Sequence, residues 1–260
     1  MTIPLCILLV HTCFVPEAGP VAGGDTVRLE VGSSEVNGRV YAPHAARVRV
    51  HIGSLDTAPT AEWTNELTLG DSAGRRVMRW VTKGTRSGPS GPTTWELRQT
   101  YDAVTLAPYG YSSRSSNGSS TQLTLDGTRV RGTRRLPGDT AAQPVDVTLD
   151  RPGFVASASD LVPTAVGLRE GTVITAPFWS PAMTKAELRI FSVLGQVSVN
   201  VEGSDVRSWK VEERRYSDRQ LLATWYLVDT APYMVYGEVP LPNGQVQRMT
   251  EVSIPMSEGR

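Results

Sequence analysis

The chain has 260 residues, of which 40% are hydrophobic, and its 26 basic and 26 acidic side chains balance to a formal net charge of zero. This is the composition of a globular protein with enough apolar residues for a large core, and it excludes an intrinsically disordered chain. A chain without excess positive charge lacks the attraction by which many proteins hold phosphates, so we expect no nucleic acid partner.

The longest apolar stretch lies near the N-terminus, in residues 3–15. About 13 residues are too few to span a bilayer as a helix, which takes roughly 20, but they suit the apolar segment of a signal peptide. Ala18 and Ala22 offer cleavage sites, although no basic residue precedes the segment. We predict a signal peptide over residues 1–22 and an exported protein of the periplasm or the outer-membrane surface. A buried first strand is the alternative.

Both cysteines, Cys6 and Cys13, lie within this predicted leader. The mature chain would therefore have no cysteine for a disulfide, a thiolate nucleophile or a cysteine-bound metal. Lipidation of Cys13 is an alternative, but His11 and Thr12 before it are a poor context for lipoprotein processing. Because no second long hydrophobic segment follows, we expect no transmembrane segment in the mature chain.

Residues 23–260 are predicted to form a single antiparallel β domain. Segments rich in Val, Thr, Tyr and Trp alternate with clusters of Gly, Pro, Asn, Asp and Ser, which is typical of strands joined by turns. The dipeptides Asp-Gly at 126–127 and Asn-Gly at 243–244 predict tight hairpins. Gly195 and Gly203 are interpreted as two further reversals of the chain.

The segment at residues 93–106 is the clearest strand with one apolar face. Trp95, Leu97 and Tyr101 fall on one side of it, and charged residues fall on the other, because successive side chains of a strand point to opposite faces. The Ser-rich residues 109–120 that follow are predicted to form a loop.

Residues 221–228 are apolar on both faces, which predicts a central strand that is covered on both sides. Helix is scarce, and the best candidate covers residues 157–168. Ser157 or Ser159 would cap its N-terminus, and Gly167 would end it.

The chain contains no motif for a nucleotide, a catalytic zinc ion or a serine nucleophile, so we predict no catalytic residue, no metal site and no cofactor. His44 and His51 are interpreted as surface residues, since no carboxylate pattern accompanies them.

Two pairs of carboxylates fall on shared strand faces, as the acid and base of a glycosidase would. They are interpreted as solvated salt-bridge partners. The pairs are Glu62 with Glu66, and Glu96 with Asp102.

Residues 95–108 and 222–236 carry strands and turns whose spacing resembles uncharacterised bacterial envelope β proteins and, more remotely, the lipoprotein-carrier half-barrels of the periplasm. The resemblance spans residues 63–254. It implies a mainly β, antiparallel, strongly curved sheet, half-barrel or barrel-like, with one short helix over its concave side, and it implies no catalytic residues. Alternation alone leaves a closed barrel, a half-barrel and a sandwich open.

We therefore expect a non-enzymatic cell-envelope protein that binds a lipid, a lipoprotein or another apolar ligand in a curved sheet. One alternative is an envelope structural or assembly protein that pairs through its sheet edges without a small ligand. The other is a secreted glycoside-type hydrolase. The residues predicted to contact the ligand are Trp95, Leu97, Tyr101, Leu222, Trp225 and Leu227.

Overall fold

A computed structural model describes residues 25–72, 74–88 and 91–256. The predicted signal peptide, with Cys6 and Cys13, lies outside the described residues. Within them the chain forms sixteen strands and one α-helix, α1 (Leu161–Val166). The strands are β1 (Thr26–Arg28), β2 (His44–Ile52), β3 (Ala61–Ser72), β4 (Arg75–Arg86), β5 (Thr93–Asp102), β6 (Pro108–Ser115), β7 (Ser120–Asp126), β8 (Arg129–Arg135), β9 (Gln143–Thr148), β10 (Phe154–Val155), β11 (Val173–Trp179), β12 (Glu187–Val201), β13 (Ser204–Arg215), β14 (Leu221–Leu227), β15 (Met234–Pro240) and β16 (Val246–Ile254).

All the strands belong to one sheet, in the order β1-β11-β12-β13-β14-β15-β16-β2-β3-β4-β5-β6-β7-β8-β9, with β10 paired to β11. Neighbours are antiparallel except β1 and β10, which run parallel to β11. The sheet is curled but not closed. The predicted fold class, a strongly curved antiparallel sheet with one short helix, is therefore confirmed.

The two ends of the curled sheet meet through side chains. Trp179 of β11 is fully buried and packs with Leu125 of β7 and Val130 of β8. Nearby, Arg134 of β8 donates a hydrogen bond to the carbonyl oxygen of Pro181 at 3.2 Å. The concave face holds the main core, in which the helix residues Leu161, Val162 and Ala165 are buried.

The helix is shorter than residues 157–168. It begins after Asp160, whose side chain makes no capping hydrogen bond, and it ends at Gly167, where φ is 100°. Ser159 does not cap it, because its hydroxyl donates instead to Glu213 at 2.9 Å. Pro163 lies in the first turn, where its missing N–H costs no helical hydrogen bond. The first part of the predicted segment is a single 3-10 turn, Ala156–Ala158.

Three turn predictions were correct and one was wrong. Gly203, with φ at 89°, lies in the turn between β12 and β13. The Asp-Gly dipeptide at 126–127 joins β7 to β8, and the Asn-Gly dipeptide at 243–244 lies between β15 and β16. Gly195, in contrast, lies within β12 at a register shift against β13, with φ at 124°. A glycine with positive φ in a strand suits a β-bulge as well as a turn, so it does not identify a reversal by itself.

The Ser-rich segment at 109–120 was also predicted wrongly, since most of it belongs to β6 and to the turn before β7. Hydrogen bonding to β5 and β7 makes this segment a strand, although its Ser-rich sequence does not favour one. Within residues 25–72, 74–88 and 91–256, no helix has the length and apolar character needed to cross a membrane.

Candidate functional site

A cavity of about 220 Å³ lies in the curl of the sheet, beside the segment that leads into α1. Four indole side chains line it, together with Leu97, Met234 and Met249. The tryptophans are Trp63, Trp80, Trp95 and Trp225. Five polar residues complete the lining, namely Asn65, Thr82, Ser157, Asp160 and Glu251.

One row of register positions explains how residues far apart in the sequence reach this cavity. Glu251 of β16 pairs with Val48 of β2, which pairs in turn with Trp63 of β3. Trp63 pairs with Gly84 of β4, and Gly84 pairs with Trp95 of β5. Because residues in register across a sheet point to the same face, the row places a carboxyl group and two indoles on the concave side.

Glycines make room for the indoles. A Cβ atom on Gly84 would lie 2.6 Å from Cβ of Trp63, which is closer than side chains pack. The rings of Trp63 and Trp95 meet there edge to face, with centroids 5.7 Å apart and an interplanar angle of 61°. Gly237 of β15 has the same relation to Trp225, whose ring atom Cζ3 would be 2.9 Å from an added Cβ. Glycine at positions 84 and 237 therefore leaves the space that the indole rings of the wall occupy.

A chain of hydrogen bonds joins the aromatic wall to Glu251. Trp80 Nε1 donates to Thr82 Oγ1 at 3.1 Å, and Thr82 donates to Asn65 Oδ1 at 2.9 Å. Asn65 Nδ2 then donates to Glu251 Oε1 at 2.9 Å. The direction of donation along the chain follows from Trp80, because an indole N–H can only donate a hydrogen bond. Glu251 therefore receives a hydrogen bond from this chain.

A second buried carboxyl group holds the opposite wall. Trp225 Nε1 donates to Oε2 of Glu213 at 2.7 Å, and the hydroxyl group of Ser159 donates to the same oxygen. Glu213 is only 1% exposed. It links the indole on β14 to the residue just before Asp160, so two parts of the cavity lining have a common support.

The two carboxyl groups that line the cavity, those of Asp160 and Glu251, both have raised pKa values. Burial, together with a smaller effect of the charge of Glu213, raises the pKa of Asp160 to about 7. Burial also raises the pKa of Glu251 well above its usual value, and the hydrogen bond from Asn65 only partly opposes this. The cause is desolvation, which disfavours a charged carboxylate.

Three of the predicted ligand-contacting residues, Trp95, Leu97 and Trp225, line this cavity. Tyr101 and Leu227 are buried in the main core beyond it. Leu222 lies at a bulge of β14, between positions that pair with Glu213 and Arg214, and it does not line the cavity. The six residues therefore do not form one surface, and whether any of them contacts a ligand remains a prediction.

Several lining residues were missed by sequence reasoning. Trp63, Trp80 and Asp160 line the cavity, although the sequence singles out none of them as a site residue. Nothing in the sequence distinguishes Glu251 from the other acidic residues. The available signal was the position of Gly84 and Gly237 within strands, since such glycines mark a close approach of another group.

The histidines also differ from expectation. His44 is 6% exposed, its ring lies edge-on to Trp80 with centroids 5.9 Å apart, and its burial lowers the pKa of the imidazole. His51 is 7% exposed and contacts the carbonyl oxygen of Thr57 through Nδ1 at 2.8 Å. Both are buried rather than surface residues. In the part of the chain that the structure describes, no three His, Cys, Asp or Glu residues converge into a metal site.

Of the two carboxylate pairs considered for a hydrolase, the pair of Glu96 and Asp102 has structural partners for both of its members. Arg114 binds Glu96 at 2.6 Å, and Arg98 also contacts it. Asp102 accepts backbone hydrogen bonds from the Val104 and Thr105 amides, both at 2.9 Å. These contacts hold the pKa of each carboxyl group below its usual value despite partial burial. Neither residue lines the tryptophan cavity.

Comparison with known proteins adds information on the fold. No protein-family model matches the chain, and no curated protein matches it in sequence. Its structure is similar to that of a beta-barrel-like protein of a domain of unknown function, DUF1849, from Brucella abortus. The TM-score is 0.52 at 9% sequence identity, and the match covers 85% of this chain and 100% of that one. The likeness shows the fold alone, so the expected relation to uncharacterised β proteins is confirmed only at that level.

Proposed function

We propose that this chain is a non-enzymatic binding protein of the cell envelope that holds a small, partly apolar ligand in the tryptophan cavity. The observation that carries the proposal is a cavity of about 220 Å³ with four indoles, two methionines and a leucine in its wall. Apolar and aromatic walls with a few polar groups are typical of small-molecule sites. The predicted signal peptide supports a location in the periplasm or at the outer membrane.

The volume limits the ligand. It exceeds the roughly 150 Å³ of an engineered cavity that takes up benzene, and it is smaller than the roughly 300–1,000 Å³ of typical drug-sized sites. A whole lipid does not fit, so the ligand is a small molecule or the end of a longer one. The expected lipid or lipoprotein partner would therefore place only one end of the molecule in the cavity.

The test begins with the full chain exported into the periplasm of a bacterial host and purified without detergent. Native mass spectrometry would detect any small ligand that co-purifies. The neutral alcohol 3,3-dimethyl-1-butanol would then be titrated, with tryptophan fluorescence as the readout, and we expect saturable binding at one site.

Leu97→Phe narrows the cavity and should weaken binding of the alcohol about tenfold or more, equivalent to about 1.4 kcal/mol. Leu136→Phe is the control, because Leu136 is 53% exposed and does not belong to the lining. Equal binding by the two variants, or no saturable binding by the native protein together with no co-purifying mass, would contradict the proposal.

A glycoside-type hydrolase is the second candidate, favoured by one observation. Asp160, with a pKa of about 7, and Glu251 face the same tryptophan-lined cavity. Glycosidases use one carboxylic acid of raised pKa beside a second carboxyl group. The small volume admits no oligosaccharide, which ranks binding first. Release of nitrophenol from a panel of nitrophenyl monosaccharides, lost in Asp160→Asn, would reverse that order.

The assembly alternative depends on a free sheet edge, and β9 is the outermost strand on one side of the sheet. That strand contains Pro144 and Asp146. Proline and charge on an edge strand both oppose pairing with another chain. This edge therefore does not favour assembly through strand pairing.

A further inference from the structure

The charges around the tryptophan cavity are one-sided. Two carboxyl groups, those of Asp160 and Glu251, belong to its lining, whereas none of the residues described there is Lys, Arg or His. We propose that the ligand carries a positive charge and is a small organic cation of the alkylated ammonium class. This inference rests on the proposed function, since it assumes that the cavity is a ligand site.

Two of the four indoles have no N–H left to donate to a ligand. The Nε1–H groups of Trp80 and Trp225 are already used by Thr82 and Glu213. A ring whose N–H is occupied interacts with a ligand through its π face, and that face attracts cations. Aromatic cages of this kind are a recurrent way to recognise quaternary ammonium groups.

The carboxyl groups have capacity left for a cation. Glu251 is 2% exposed, and while its Oε1 accepts from Asn65, no other described residue donates to its Oε2. Asp160 makes no capping hydrogen bond to α1. Glu213 provides the contrast, because Arg189 pairs with it at 2.5 Å. Among the residues that the structure describes, a cationic side chain pairs with Glu213 but none pairs with Asp160 or Glu251.

The hydrogen-bond chain from Trp80 suits an ionised Glu251. Because every donor in it points towards the carboxyl group, the protein stabilises negative charge at Oε1. Burial nevertheless raises the pKa of both carboxyl groups. A cation that enters the cavity would replace the proton as the counter-charge, which is the usual way in which a buried carboxylate is tolerated.

The remaining wall favours alkyl groups around the charge. Met234, Met249 and Leu97 present apolar and polarisable surface. A methylated ammonium needs few hydrogen-bond acceptors, so two carboxyl groups and four indoles are enough to surround it. A strongly hydrated cation would require more oxygen ligands than the lining provides.

The experiment compares two probes of the same shape. Choline carries a trimethylammonium group, and 3,3-dimethyl-1-butanol replaces its nitrogen with carbon. Both are titrated into the full chain at about pH 8, where Asp160 is mainly ionised because its pKa is about 7. We expect choline to bind about tenfold to thirtyfold more tightly, as a desolvated cation–π contact of about 2 kcal/mol predicts.

Matched variants separate charge from shape. Asp160→Asn combined with Glu251→Gln keeps the cavity's size and should abolish the preference, so that the two probes bind within about threefold of each other. Trp95→Leu keeps both carboxyl groups and should weaken choline more than the alcohol. Glu62→Gln, on the opposite face of β3, should change neither affinity, and urea unfolding would verify that each variant is folded.

Two results would overturn the inference, and they differ in what else they imply. If the alcohol binds at least as tightly as choline, the cavity is a ligand site but not a cation site, and the proposed function stands. If neither probe binds and no small ligand co-purifies with the native protein, the proposed function fails and the cation inference with it.

Discussion

Arg189 Nη1 lies 2.5 Å from Oε1 of Glu213, and the arginine side chain is only 14% exposed. The pair connects β12 to β13 beneath the cavity wall. Because Glu213 also accepts hydrogen bonds from Trp225 and Ser159, one carboxylate determines the position of an indole and of the entry into α1. The stability of the fold and the shape of the cavity therefore depend on the same group.

Glu213→Gln should destabilise the protein by about 3 kcal/mol, because removing one partner of a buried ion pair leaves the other uncompensated. Urea unfolding measures the change. Glu212→Gln is the control on the same strand, since Glu212 pairs with Arg214 at the surface, with side chains 24% and 37% exposed. A loss below about 1 kcal/mol is expected there. Equal effects of the two substitutions would show that the buried pair of Glu213 and Arg189 contributes no more to stability than the more exposed pair of Glu212 and Arg214.

Gly84→Ala should destabilise the protein by about 1–3 kcal/mol, the usual cost of overpacking. The added methyl group would lie 2.6 Å from Cβ of Trp63 and 2.9 Å from the backbone oxygen of Glu62, so the strand itself must move. Gly110→Ala is the matched control in β6, where the nearest atom, in Thr100, is 3.8 Å away. Near-ultraviolet circular dichroism and urea unfolding report ring displacement and stability. Unchanged spectra in Gly84→Ala would contradict the close-packed wall.

The sequence predicts the strands well where the signal is local. The alternation that places Trp95 and Leu97 on one side of β5 depends only on the period of a strand. The face of Trp225 follows in the same way. Leu222 departs from the alternation, because it lies at a bulge of β14. A bulge depends on the neighbouring strand, and no rule of alternation reveals it.

The polar half of the cavity could not be predicted, because it depends on register between distant strands. Asn65 and Glu251 are separated by 186 positions in the chain. They meet because β2 lies between β3 and β16 in the sheet. A pairing shift of one residue would turn either side chain to the opposite face, and nothing local to 65 or 251 fixes that register.

The leader predicts a measurable processing event. When the full chain is expressed in a bacterial host, intact mass and N-terminal sequencing of the exported protein should show a start at Gly19 or Gly23, after cleavage at Ala18 or Ala22. The mature protein should then contain no thiol. Leu8→Arg combined with Leu9→Arg interrupts the apolar segment and should prevent export and cleavage. Recovery of an exported chain that retains Met1 would contradict the signal peptide.

Asp160 predicts that stability falls as pH rises through the neutral range. An unfolded chain releases this proton near 3.8, whereas the folded protein keeps it up to about 7. Between these two pH values the folded state binds more protons than the unfolded state. The stability that the Asp160 proton contributes is therefore complete below the unfolded pKa of 3.8 and is lost as the pH rises through the folded pKa of about 7. The slope is at most about 1.4 kcal/mol per pH unit for one proton. Glu251, whose pKa is also raised, acts in the same direction.

Asp160→Asn removes one of these protons and isolates its effect. The lowered pKa values of Glu96 and Asp102 give the opposite slope only up to about pH 5. The lowered pKa of His44 gives it up to its unfolded value of 6.5, so the effect of Asp160 is measured as the difference between the native protein and the variant. Urea unfolding from about pH 5 to about pH 8 should show a shallower decline in Asp160→Asn than in the native protein, with the variant the more stable of the two at the upper end. Asp126→Asn, at an exposed hairpin, should reproduce the native slope. An Asp160→Asn slope equal to the native slope would mean that Asp160 is already ionised in the folded state at about pH 5, and that a counter-charge lies beside it.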